Sequence, residues 1–178
     1  NPLSLQGSEY KGSAIFSGTG AGQKLYIRVK DNAGNITSYF NTNNTNNAAL
    51  TINIDTDKPN LSIAQDTILT YIGTTGFTVQ GSASDSPSAG SGIASLKVKE
   101  YYKGTEANAE FALTSASGTD GITVTPETNG AWSQPVPLPG TSKQNGTFKY
   151  VFTLTDNAGN FETTQFTTIV DKTAPVIN

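Results

Sequence analysis

The chain has 178 residues, a formal net charge of −3, and no cysteine, histidine or methionine. Those absences exclude disulfides, thiolate nucleophiles, imidazole-ligated zinc and a Ser-His-Asp triad, leaving carboxylate chemistry as the route open to catalysis. The 11 Lys and Arg are spread thinly among 14 Asp and Glu, which argues against a basic face for nucleic acid, and no apolar run is long enough to span a membrane.

The first legible element is an alternating segment at residues 24–30 (KLYIRVK). Leu25, Ile27 and Val29 share one side and Lys24, Arg28 and Lys30 the other, as expected of a half-buried strand. It runs into Asp-Asn-Ala-Gly-Asn at 31–35. Residues 40–49 (FNTNNTNNAA) are polar and of low complexity, and read as an inserted loop or a lengthened hairpin. A further strand and a linker follow at 50–59 (LTINIDTDKP). Strands are then expected at 60–66, at 76–84 (GFTVQGSAS) and, after a polar loop at 85–91, at 92–102 (GIASLKVKEYY). Weak strands occupy 103–130, and residues 131–138 bring in Trp132. The last two strands lie at 146–155 and 161–170. In the first of these Phe148, Tyr150, Phe152 and Leu154 face one way, and Lys149, Thr153 and Thr155 the other.

The pattern repeats. Residues 149–160 (KYVFTLTDNAGN) match 24–35, and 166–175 (FTTIVDKTAP) match 50–59. Asp31 and Asp156 are 125 positions apart but Asp55 and Asp171 only 116, so the first copy carries nine extra residues, within 40–49. No stretch shows a helical period. The expected fold is all-β: immunoglobulin-like β-sandwich repeats in tandem, one complete and one partial. The expected division is a partial unit at 1–57, holding only C-terminal strands, a complete sandwich of about seven strands at 58–172, and the start of a further repeat at 173–178. The partial unit would present an open strand edge, which invites pairing with another chain. No signal peptide opens the sequence, which reads as beginning inside a longer protein.

The chain resembles the bacterial immunoglobulin-like repeats of large surface adhesins. The matching pieces are GSASDSPSAGSGIASLKV at 81–98, NGAWSQPVPLPG at 129–140, GTFKYVFTLTDNAGN at 146–160 and TIVDKTAPVI at 168–177. The resemblance implies an elongated array, exported and associated with the cell surface, whose partners are neighbouring repeats of the parent chain and a host-surface protein or glycan. It also implies that Trp132 packs into the sandwich rather than stacking on a sugar. Some members bind calcium between consecutive domains.

In such a sandwich the linker and two loops meet at one end. They would bring together Asp55 and Asp57, Asp85, and Asp156 with Asn157 and Asn160. Converging carboxylates repel unless a cation or protons neutralise them, and calcium takes about 6–8 oxygen ligands. The competing reading, which is favoured, is turn chemistry alone: Asp and Asn bond their own backbone in tight turns, Gly34 and Gly159 supply positive φ, and Lys58 neutralises part of the linker charge. Asp31 and Asp171 would serve neighbouring joints. Of the adjacent Tyr101 and Tyr102, one faces in and one out, the outer one available for binding. Glu100, Glu106, Glu110 and Glu127 form no recognisable glycosidase pair. The expectation is therefore a non-catalytic structural or adhesive module of a surface array, stiffened or not by calcium. The alternative is an accessory spacer, or a carbohydrate- or protein-binding module, attached to a secreted enzyme.

Overall fold

The computed structural model describes residues 4–6, 9–11, 18, 20–25, 27–39, 50–85, 90–142 and 144–177. The chain divides into two compact units, residues 1–56 and 57–178.

The first unit contains β1 (Ser4–Gln6), β2 (Glu9–Lys11), β3 (Gly20–Leu25), β4 (Ile27–Lys30), β5 (Ile36–Tyr39) and β6 (Leu50–Ile54). Each pairs antiparallel with one partner: β1 with β2, β3 with β6, and β4 with β5. The β4–β5 hairpin turns at DNAGN. Residues 40–49, where an insertion is expected, lie outside the described residues. They separate β5 from β6, the segments equivalent to the two halves of the final strand in the second unit. The side chains of Leu25, Ile27 and Val29, expected to share a face, are likewise outside the description.

The second unit begins with β7 (Asn60–Ile63), which ends three residues before the expected bound. A short 3₁₀ turn at Gln65–Thr67 follows, and then β8 (Tyr71–Ile72), a strand that propensity did not announce. Next come β9 (Phe77–Ser84) and β10 (Ile93–Lys103). The expected weak strands of 103–130 are β11 (Ala112–Leu113) and β12 (Ile122–Val124), both on the outer edge of β10. The series closes with β13 (Ala131–Val136), β14 (Gly146–Asp156) and β15 (Phe161–Val170).

These strands form two sheets. One has the order β13–β9–β7; the other runs β11–β10–β14–β15–β8, with β12 also on β10. The first strand region is divided between them: β7 pairs antiparallel with β9, whereas β8 pairs parallel with β15. Thr67 pins the crossing, its hydroxyl donating to the Ala64 carbonyl at 2.7 Å and accepting from the Gln80 amide at 3.1 Å. Thr168 holds the far side by donating to the Leu69 carbonyl at 2.7 Å. Strands one, two and five of the Greek key on one sheet, and three, six and seven on the other, are the immunoglobulin-like arrangement.

Alternation explains the core. Along β14 every second residue is buried, so Phe148, Tyr150, Phe152 and Leu154 all face inward as the sequence indicates. They meet Val79, Ala83, Trp132 and Val136 from the opposite sheet. The Trp132 indole stacks on Phe152 with centroids 4.8 Å apart, and Tyr150 stacks on Phe166 at 5.0 Å. Trp132 is only 3% exposed, which puts it in the core rather than on a sugar-binding surface.

Candidate functional site

One end of the second unit is built from the β9–β10 loop and the β14–β15 turn. The turn is DNAGN, residues 156–160. The Asp156 amide donates to the Asn160 carbonyl at 3.0 Å, closing it, and Gly159 sits at φ +92°, where a side chain would strain the backbone. The Asp156 carboxylate, 1% exposed, is filled from within the turn. It accepts the amides of Ala158 and Asn160 at 2.9 and 2.8 Å and the Asn160 side-chain amide at 2.9 Å.

The β9–β10 loop is sewn to this turn. The Asn157 amide donates to the Gly92 carbonyl at 2.9 Å, the Asn157 side chain to the Ser91 carbonyl at 2.9 Å, and the Ala158 amide to the Ser91 hydroxyl at 3.0 Å. Asp85 accepts the Gly92 amide at 2.6 Å. A carboxylate oxygen of Asp85 thereby lies within 4.8 Å of one from Asp156. Oxygens at that separation can share one calcium ion, whose bonds run about 2.3–2.6 Å. Three of the roughly four lone-pair positions of the Asp156 carboxylate, however, are already committed to the turn.

Of the residues named for this end, the structure brings together Asp85, Asp156, Asn157 and Asn160. Asp57 is exposed at the entry of the same unit, and Asp55 belongs to residues 1–56. Lys58 pairs with Glu162 at 3.6 Å.

The first unit builds the same turn. The Asn35 amide donates to Asp31 Oδ1 at 2.8 Å, the Asn35 side chain to Asp31 Oδ2 at 2.7 Å, and the Asp31 amide to the Asn35 carbonyl at 3.0 Å, with Gly34 at φ +94°. The Asn35 side chain, and then its backbone amide, hold the Asp31 carboxyl below its ordinary range. Both copies of the pentapeptide therefore carry the same Asp-centred hydrogen bonding. Asp171, at the end of β15, is used similarly, accepting the Thr173 amide at 2.8 Å.

A second polar constellation was not anticipated. Glu100 on β10 is fully buried, and its carboxylate accepts the Thr114 hydroxyl at 2.9 Å, the Leu138 amide at 2.8 Å and the Thr141 hydroxyl. Its backbone engages Ser117 in both directions. It staples the 114–117 turn and the 138–141 turn to the central strand. The signal was present in the sequence: Glu100 has the inward phase of Leu96 and Val98. Opposite it in register stands Tyr150. Burial, and secondarily the Glu100 charge, push the Tyr150 phenol far above its ordinary range. The hydroxyl lies near Glu100 but outside hydrogen-bonding geometry. Glu106, Glu110 and Glu127 are exposed.

No protein-family model and no curated protein sequence matches the chain at significance. Among solved structures, murine CRIg aligns over 66% of this chain and 100% of its own, with 11% identity and a TM-score of 0.34. The assignment to the immunoglobulin-like fold rests on the strand order itself.

Proposed function

We propose that the chain is a non-catalytic structural or adhesive module of an exported, tandem immunoglobulin-like array on a bacterial surface. The observation that carries this reading is the DNAGN turn, constructed twice with the same hydrogen bonds in two separate units. Repeated supersecondary parts within one chain are the mark of an array. The partners in this reading are neighbouring repeats and a surface protein or glycan. The nearby carboxylates of Asp85 and Asp156 support a further part of the proposal, calcium binding at that end of the sandwich, with Asp57, Asn157 and Asn160 as additional oxygen donors. An ion there would neutralise the converging charge and stiffen that end of the unit.

The test is a thermal melt in chelator and then in millimolar calcium at matched ionic strength. An ion that binds only the folded state raises the melting temperature by mass action. A rise of several degrees, lost in Asp85→Asn and Asp57→Ala, supports the calcium site; no shift removes calcium and leaves a passive module. Release of new reducing ends from a panel of polysaccharides would overturn the non-catalytic reading.

A further inference from the structure

The outward face of the larger sheet in residues 57–178 carries a row of lysines. Along β10, Lys97, Lys99, Tyr101 and Lys103 alternate with inward residues, Leu96, Val98 and Glu100 among them, so all four project from the same side. The register sets Lys149 of β14 directly across from Tyr101, and Thr153, Val151 and Thr147 across from the three β10 lysines. On β15 the same rows continue with Thr163, Gln165, Thr167 and Ile169. No Asp or Glu occupies any of these strand positions, although acidic residues outnumber basic ones in the chain. The opposite sheet shows no such sorting: outward positions of β9 and β13, such as Thr78, Gln80, Ser82 and Ser133, are uncharged.

Two observations separate this face from an ordinary solvated one. Among the described residues none of the four lysines has a carboxylate partner. Two of them, Lys103 and Lys149, are instead positioned by aromatic rings. Lys149 Nζ lies 4.9 Å from the Tyr101 ring centroid and 4.6 Å from that of Phe111, and Lys103 Nζ lies 5.1 Å from Phe111. Rings hold a cation in place without cancelling its charge. Consecutive same-side residues on a strand stand ~6.7 Å apart, so the β10 lysines form a row ~20 Å long.

We propose that this face binds a linear acidic polysaccharide, a sugar chain bearing carboxylate or sulfate groups. The ammonium groups pair with its acidic substituents, and the threonine hydroxyls and Gln165 hydrogen-bond its ring hydroxyls. A polar, charged face suits an extended polymer; a protein partner would want the apolar, charge-depleted centre that this face lacks. The acidic residues that flank this face, Glu110 beside Phe111 and Asp120 beside Gly121, form no ion pair with its lysines among the described residues. The proposal depends neither on the array reading nor on calcium.

The experiment measures binding of the full chain to heparin, to polygalacturonate and to neutral dextran, with single-stranded DNA as a fourth probe. The expected result is salt-sensitive binding to one or both acidic polysaccharides and none to dextran; the stronger of the two identifies sulfate or carboxylate as the preferred group. Replacing Lys97, Lys99 and Lys149 together by Gln lowers affinity ~tenfold or more, each exposed pair contributing roughly two- to fivefold. Lys58→Gln with Lys172→Gln leaves it unchanged. Should the triple variant melt early, the single substitutions Lys97→Gln and Lys99→Gln are read instead, each expected to lose ~two- to fivefold. Absence of binding to both acidic polymers at low salt overturns the proposal. So does binding that survives the substitutions in a normally melting protein, or DNA binding through the same lysines as tight as the polysaccharide binding.

Discussion

Gly81 and Trp132 are direct register partners in the β9–β13 pair, and the indole occupies the volume into which a side chain at position 81 would project. A Cβ there would overlap both the Trp132 ring and the Ser62 carbonyl oxygen. Gly81→Ala is therefore expected to destabilise the second unit by about 2 kcal/mol or more, as overpacking does in a tight core. Trp132→Ala should cost about 3–5 kcal/mol. In the double variant part of the Gly81→Ala penalty persists, because the Ser62 carbonyl is still in the way. Urea unfolding at constant m-value reads all three.

Glu100 anchors two turns through one carboxylate. Glu100→Ala leaves the Leu138 amide and the Thr114 and Thr141 hydroxyls without their acceptor in a buried site, and should cost about 3 kcal/mol. Glu100→Gln keeps one acceptor oxygen and should cost about half as much, since its amide adds donors where the neighbours already donate. Amide hydrogen exchange at Leu138 should accelerate in both variants, and more in the alanine one.

Tyr150 is a buried phenol whose ionisation is pushed upward by burial and then by the Glu100 charge. A raised folded-state value means that the native protein keeps this proton after the unfolded chain has released its own. Its stability is full below the ordinary phenol value of 10.0 and declines as pH rises beyond it. Tyr150→Phe should be neutral or slightly stabilising near pH 7, because the hydroxyl lacks a hydrogen-bond partner. It should also weaken the alkaline loss of stability above about pH 10. Melting temperatures from pH 7 to pH 11.5 check both outcomes, and unchanged alkaline behaviour would remove Tyr150 from the explanation.

Each of the two DNAGN turns offers its own test. The Asp31 carboxyl is held low by the Asn35 side chain and then its backbone amide. Its stabilising effect is complete above the ordinary value of 3.8 and disappears as pH falls through the lowered one. Following the Asn35 side-chain amide protons by NMR should show protection persisting below pH 3.8 and vanishing in Asp31→Ala. Asp156→Ala removes three hydrogen bonds from a buried carboxylate and should cost about 2 kcal/mol even in chelator. For that reason Asp85→Asn is the cleaner probe of calcium.

Sequence alone determined the all-β class, the inward phase of β14 and the position of both DNAGN hairpins. Each of these follows from local rules: period-two alternation, and the demand of a tight turn for Asp, Asn and Gly. Tertiary structure decided the rest. The two-residue β8 has no local signature, because its parallel pairing with β15 depends on where residue 170 is folded. Asp85 and Asp156 are 71 positions apart in the chain, and only the meeting of two loops brings their carboxylates together. The thin scatter of Lys and Arg argued against any basic face, yet four lysines share one. Lys97, Lys99 and Lys103 were aligned by alternation within a single strand, but Lys149 joined them only through the register of β10 against β14. Periodicity assigns a side chain to a face of its own strand; register, set by long-range packing, determines which residues of other strands stand beside it.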